Sequence, residues 1–159
     1  MAQLNRLVER LIASRVEFVL VGGFAAVAHG VSLMTQDIDV CCRFTPENLR
    51  AIEAAVAGLR PVHRMTPQKL PFVLTDELCA NLKNLYLDTD FGPLDCLSSV
   101  PGIGDFEDVK RRSIELPIIA GACPVLDIDA LIEAKSATNR THDRMTILQL
   151  KAIKERKGL

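Results

Sequence analysis

Three aspartates in this chain sit where an apolar strand would not normally place them. Asp37 and Asp39 flank one residue in Gln36-Asp-Ile-Asp-Val-Cys41, and Asp95 interrupts Gly92-Pro-Leu-Asp-Cys-Leu97. On a strand, alternate side chains face the same way. Asp37 and Asp39 therefore share one face, while Ile38 and Val40 enter the core. The two carboxylates start roughly 6.6 Å apart along the strand, close enough to reach one or two shared cations. Without a cation they repel, and at least one becomes harder to ionise. Such a pair works against stability, so a metal function is the better reason for it. Magnesium suits hard oxygen ligands and bridges carboxylates to phosphates; manganese accepts the same donors. Asp95 is costly to bury unpaired, and it completes a triad if its strand neighbours the Asp37–Asp39 strand. Cations held there would lower the pKa of an attacking hydroxyl and stabilise charge on the attacking and leaving oxygens.

Upstream, Phe18-Val-Leu-Val21 runs into Gly22-Gly23 and then into an Ala-rich segment. This reads as a buried strand, a tight turn and a helix. Unpaired N–H groups at such a turn favour an anion, and glycine lets a phosphate approach the backbone closely. A Gly-Gly pair alone is more often just a turn. Followed by D-x-D on the next strand and an aspartate on a later one, it becomes specific.

With those elements in place, the sequence resembles the nucleotidyltransferase superfamily that includes DNA polymerase β. Its pattern is an apolar strand, Gly-Gly or Gly-Ser, about a dozen residues, a D-x-D strand and a third acid on a later strand. Here thirteen residues separate Gly23 from Asp37, and the likeness spans roughly residues 15–100. Lys135, Arg140 and His142-Asp143-Arg144 look like the lysine and basic-aspartate motifs of abortive-infection toxin nucleotidyltransferases, of the small bacterial toxin/antitoxin type. The resemblance implies that Mg²⁺ or Mn²⁺ binds Asp37, Asp39 and Asp95, which would be the catalytic residues. It implies that Gly22, Gly23, Lys135 and Arg140 bind a nucleoside triphosphate, with Asp143 in support. The chain is much shorter than many such toxins, and longer than the antitoxin-type enzymes, whose turn is usually Gly-Ser. Small antibiotic-modifying nucleotidyltransferases share the Gly-Gly and D-x-D elements and a comparable length. Their aromatic-and-arginine pattern between those elements is absent here.

These residues need a framework to bring them together. The 159 residues are 48% apolar and 25% charged, an ordinary balance for one globular domain with a core of its own. A first amphipathic helix is expected over 2–14, from Leu4, Leu7, Val8, Leu11 and Ile12. The second strand is expected over Asp37 to Cys41. Thr45-Pro46-Glu47 reads as an N-cap with proline at the first helical position, launching a helix to about Ala57. Gly30 is a candidate stop for the helix that follows Gly22-Gly23. Hairpins are expected over 82–97 and 114–126, and helices over 130–138, capped by Asp127 or Asp129, and from about Thr141 onward. Residues 61–75, with three prolines, remain ambiguous. The expected fold is α/β (α+β), a minimal nucleotidyltransferase fold with a mixed, partly antiparallel sheet backed by helices. It forms a single domain over 1–159, with a core at about 15–100 and C-terminal helices at about 128–157.

Composition narrows the functional classes. No apolar run reaches the ~20 residues of a membrane helix, and the charged N-terminal helix does not resemble a signal peptide, so no membrane partner is expected and the location is expected to be cytoplasmic. Five cysteines without a C-x-x-C pair argue against a disulfide framework or zinc knuckle; Cys41, Cys42 and Cys96 read as small buried hydrophobes. Net charge is −1, yet residues 135–159 hold seven basic and two acidic side chains, a local +5 against −6 elsewhere. Bland readings stand beside the functional ones. Asp95 is alternatively a buried acid paired with an arginine, and Lys135 and Arg140 are alternatively a solvated helix face. His29 favours packing or capping over catalysis. The expected activity is metal-dependent transfer of a nucleoside monophosphate from an NTP to a hydroxyl on RNA (a tRNA end, for example), a protein or a small molecule, within or outside a toxin–antitoxin system. The alternatives are a metal-dependent phosphohydrolase and a non-catalytic interaction module of antitoxin type.

Overall fold

The computed structural model describes residues 3–118 and 120–159. Helix α1 (Leu4–Ala13) buries Leu4, Leu7, Val8 and Leu11, one stripe at helical spacing. The expected start at Ala2 lies outside the described residues. Strand β1 (Phe18–Val21) is buried along its whole length. It passes directly into α2 (Gly22–Ala28), which stops at His29 before Gly30, whose φ of +115° suits glycine. Strand β2 (Ile38–Cys42) begins one residue later than expected, leaving Asp37 just ahead of it. The reason lies on both flanks. Strand β1 pairs with β2 only as far as Val21↔Asp39 and then turns into α2. On the other side Ile38 faces Leu94, and the residue before Leu94 is Pro93, which has no N–H to offer.

Helix α3 (Pro46–Val56) is launched as the sequence predicts: the Thr45 side chain accepts from the Asn48 N–H, and Pro46 opens the first turn. The ambiguous stretch contributes β3 (Val62–His63), followed by the short α4 (Asp76–Asn81). The predicted hairpin is β4 (Asn84–Thr89) against β5 (Gly92–Leu97), in register from Asn84↔Leu97 to Thr89↔Gly92. A two-strand ribbon, β6 (Ser99–Val100) and β7 (Gly104–Asp105), leads to α5 (Phe106–Arg111), capped reciprocally by Asp105 and Asp108. The second hairpin, expected over 114–126, is β8 (Ser113–Ile118) and β9 (Gly121–Leu126); Ile119 of that stretch lies outside the described residues. Helix α6 (Ile128–Thr138) is capped by Asp127, which accepts from the Ala130 N–H. Helix α7 (Asp143–Lys157) closes the chain.

Seven of these strands form one sheet in the order β3-β4-β5-β2-β1-β9-β8. The β2–β5 and β1–β9 pairs are parallel, and the other pairs in it are antiparallel. Helices back this mixed sheet, as the sequence implies. Leu85 and Leu87 of β4, Leu94 and Cys96 of β5, and Ile38 and Val40 of β2 are at most 1% exposed. Burying each large aliphatic side chain contributes about 1.5–3 kcal/mol. Because side chains alternate along a strand, that commitment turns Tyr86, Asp95 and Asp39 to the opposite face. Among the described residues, no helix is long and apolar enough to cross a membrane.

One buried polar side chain ties the central strands to α3. Asn48, 4% exposed, accepts from the Glu17 N–H at 2.7 Å through Oδ1. Its amide donates to the carbonyl oxygens of Glu17 at 3.0 Å and Arg43 at 2.7 Å. It satisfies the backbone just before β1 and just after β2. Removing such a partner leaves buried backbone groups unmet, at about 1–3 kcal/mol for each group. Asn48→Ala is therefore expected to lower unfolding free energy by about 3 kcal/mol, read as a fall of roughly 10 °C in a thermal melt. A melt within two degrees of wild type would show that water replaces the clamp.

Candidate active site

Register places the acids. Val21, Asp39, Asp95 and Tyr86 are successive partners across β1, β2, β5 and β4. Asp39 and Asp95 thus lie side by side on the face turned away from Leu94 and Ile38. Asp37 joins them from just before β2, and ligand oxygens of all three carboxylates lie within 4.8 Å of one another. Three hard oxygen donors converging from two strands and a loop form a set suited to magnesium or manganese.

Electrostatics shows the strain of that convergence. Burial, followed by the proximity of Asp37 and Asp95, pushes the Asp39 carboxyl up to about 7. Asp37 is also raised, by burial first and then by Asp95. Both shifts favour the protonated acid in the absence of a cation. A divalent ion would reverse the preference, because it stabilises the carboxylates.

The glycine turn approaches the same acids. Gly22 has φ +70°, and a Cβ built there would stand 2.3 Å from Asp39 Oδ2. Only glycine fits both the left-handed backbone and the carboxylate lying against it. A Cβ on Gly23 would meet Thr35 Oγ1 at 2.9 Å, and the Thr35 hydroxyl donates to the Asp37 carbonyl oxygen at 3.3 Å. The strand-to-helix turn and the loop delivering Asp37 are therefore packed together. The first N–H groups of α2 have no partners within their own helix.

Helices α6 and α7 complete the opposite wall. Lys135 Nζ lies 3.4 Å from Asp143 Oδ1, and the Thr138 hydroxyl donates to Asp143 Oδ2 at 3.3 Å. Asp143 is 6% exposed, so it anchors the lysine instead of facing solvent. The lysine charge reaches Asp39, where it opposes the upward shift. Arg140 is exposed in the turn between the helices, next to Asn139 at φ +49°. Gly22, Gly23, Asp37, Asp39, Asp95, Lys135, Arg140 and Asp143 all line one cleft of about 990 Å³. His29 has the packing role: it is 4% exposed, and its Nε2 lies 2.8 Å from the Leu126 carbonyl oxygen. Cys41, Cys42 and Cys96 are buried, as read from sequence.

Arg64 was not singled out by the sequence. Its Nη1 lies 2.5 Å from Asp95 Oδ1, and both atoms are buried without another hydrogen-bond partner among the described residues. Its backbone N–H donates to the Tyr86 carbonyl oxygen at 2.9 Å, extending the β3 edge toward β4. Asp95 is thus at once a member of the acid cluster and an acid paired with an arginine, two readings that the sequence set against each other. The only signal in the sequence was the need of a buried acid for a counter-charge, which does not say which arginine supplies it.

No protein-family model matches the chain, and no curated protein matches it by sequence. Solved structures do share its architecture. The lincosamide antibiotic adenylyltransferase LnuA, in a lincomycin-bound crystal structure, aligns over 89% of this chain and 90% of its own, with a TM-score of 0.59 and 17% identity. The antibiotic-resistance factor ANT(2'')-Ia aligns over 96% of this chain and 83% of its own, with a TM-score of 0.56 and 15% identity. A candidate nucleotidyltransferase from Thermotoga maritima aligns over 92% and 88%, with a TM-score of 0.53 and 17% identity. With a mixed sheet, a glycine turn and an acid cluster arranged on it, and alignments that run nearly the full length of these chains, the protein has the nucleotidyltransferase fold.

Proposed function

We propose that the protein is a divalent-metal-dependent nucleotidyltransferase that moves a nucleoside monophosphate from an NTP to a hydroxyl acceptor. The observation that carries this reading is the convergence of Asp37, Asp39 and Asp95 within 4.8 Å, with Gly22 held against Asp39. Asp37, Asp39 and Asp95 would hold the metal; Mg²⁺ bound there supplies charge neutralisation for the triphosphate and the developing pyrophosphate. The Gly22–Gly23 turn offers backbone N–H groups to phosphate oxygens, and Lys135, steadied by Asp143, adds a positive charge from the facing wall. Arg140, exposed in the turn between α6 and α7, provides a second cation for the phosphates. Asp95, fixed in direction by Arg64, receives the proton of the acceptor hydroxyl. The hydroxyl oxygen then bonds to the α-phosphorus as the bond to pyrophosphate breaks.

The fold neighbours named for antibiotic substrates favour a small-molecule acceptor over RNA or protein. A toxin–antitoxin role rests on the likeness of Lys135, Arg140 and Asp143 to that group, and a small adjacent open reading frame would support it. Dependence on NTP fits a cytoplasmic location.

The direct test is incubation with each α-³²P-labelled NTP and Mg²⁺, supplying tRNA or a panel of hydroxylated small molecules. Label should pass to an acceptor in wild type. In Asp37→Ala transfer should fall at least about 1,000-fold, the loss expected when ~4 kcal/mol of transition-state stabilisation disappears. Equal transfer by the variant would sink the assignment of the acids.

A second test needs no acceptor. The folded carboxyl of Asp39 is raised to about 7, above its unfolded value. Its contribution to stability is therefore complete below the unfolded pKa and is lost as pH rises through 7. Metal-free wild type should lose thermal stability between about pH 4 and 7, and Asp39→Asn should flatten that slope and melt higher than wild type at pH 8. Millimolar Mg²⁺ or Mn²⁺ should raise the wild-type melt at pH 8, and Asp37→Ala/Asp39→Ala should lose the response. An unchanged response in the double variant would refute the metal site.

A further inference from the structure

The two ends of the cleft differ in chemistry. Over β1 and β9 it is lined by the glycine turn, by Lys135 of α6 and Asp143 of α7, and by Arg140 from the turn between those helices. Over β4 and β5 the lining is Asn84, Tyr86 and Leu97, continued by Ser99 and Val100 of β6 and by Pro101, beyond which the chain meets α6 at Gly102. Beyond Asp95, no charged side chain lines that end among the described residues. Two carboxylates of these strands are matched by cations from the segment after β3: Asp95 by Arg64, and Asp88 by Lys69 at 3.2 Å. The guanidinium of Arg64 also stands 5.7 Å from the Tyr86 ring centroid.

Strand order decides which end receives the acceptor. With the triphosphate on Gly22, Gly23 and Lys135, in-line attack brings the hydroxyl from the opposite side of the α-phosphorus. In the order β4-β5-β2-β1-β9 that side is β5 and β4. Tyr86 and Asn84 project on the same strand face as Asp95 and Leu97, since they are their register partners. An RNA end would need basic side chains for its phosphates, and a polycation would need surplus carboxylates. This end has neither. A half-buried aromatic beside a leucine, flanked by an amide and a hydroxyl, suits a ligand with one apolar face and several hydroxyls.

We propose that the acceptor is an uncharged, hydroxyl-bearing small molecule of glycoside type, packed by its apolar face on Tyr86 and Leu97 and hydrogen-bonded by Asn84 and Ser99. This inference rests on the nucleotidyltransferase reading. It assigns the β4–β5 end as the part of the site that selects the acceptor by lacking charge.

The chain supplies its own reporter, because it contains one tyrosine and no tryptophan. Emission from Tyr86 should change saturably when octyl gluco-, galacto- or mannopyranoside is titrated below its micelle concentration in the presence of Mg²⁺ and ATP. Calorimetry should rank the best of these above tobramycin and above total tRNA. Tyr86→Ala, checked to melt like wild type, should weaken glycoside binding about tenfold, and Tyr86→Phe should restore it. If Tyr86→Ala fails to fold, Asn84→Asp is the alternative: a new carboxylate should shift preference from glycoside toward tobramycin. Tighter binding of tobramycin or tRNA to wild type would overturn the proposal. So would Mg-ATP binding without saturable binding of any glycoside, which leaves the nucleotidyltransferase reading standing. Absence of Mg-ATP binding would instead overturn that underlying reading, and this proposal with it.

Discussion

The structure depends on three carboxylates held closer together than their charges favour. Asp39 and Asp95 are register partners on parallel strands, and Asp37 is added from the loop that precedes β2. The repulsion and burial that raise Asp37 and Asp39 persist because the opposite faces of the same strands are locked into the core. Ile38, Val40, Leu94 and Cys96 are all fully buried. Slipping either strand by one residue would relieve the acids but turn those aliphatic side chains into water. Core burial therefore holds the acid cluster in place.

Other elements accommodate that cluster. The Gly22 backbone leaves room for Asp39, Arg64 supplies the counter-charge for Asp95, and the Lys135–Asp143 pair closes the wall opposite. Each comes from a different element, so the cleft is completed by packing between distant parts of the chain. Asn48, far from the acids, contributes by holding the ends of β1 and β2. The cleft is asymmetric as a consequence, with Lys135, Arg140 and Asp143 on one side and, beyond Asp95, the uncharged Asn84, Tyr86 and Leu97 over β4 and β5.

Much of this was legible in the residue pattern because the relevant signals are local. Thr45 and Pro46 start α3, Gly30 stops α2 one position after His29, and Asp127 caps α6. Turn-prone Asp90, Gly92 and Pro93 mark the bend of the β4–β5 hairpin, whose register follows from alternating burial. The three acids and the Gly22–Gly23 turn stood out for the same reason: each breaks an apolar strand or ends one. Likeness to the toxin-type enzymes was read from the C-terminal motifs, while the solved structures that share the fold include two antibiotic-modifying enzymes. Motifs shared across a superfamily mark a common site and are weak guides to the acceptor.

By itself, then, the sequence determined the strand-turn-helix of the glycine turn, the alternation that aims Asp39 and Asp95 away from the core, and the caps that set helix boundaries. These follow from steric and hydrogen-bonding rules acting within a few residues. Tertiary structure alone decided that β5 lies beside β2, that Asp37 stands outside the strand because β1 turns away and Pro93 cannot pair, and that Arg64 from a proline-rich segment reaches Asp95. It also decided that Tyr86 flanks the acid row. Those facts depend on which strands become neighbours, and that choice is made by burial summed over the whole sheet.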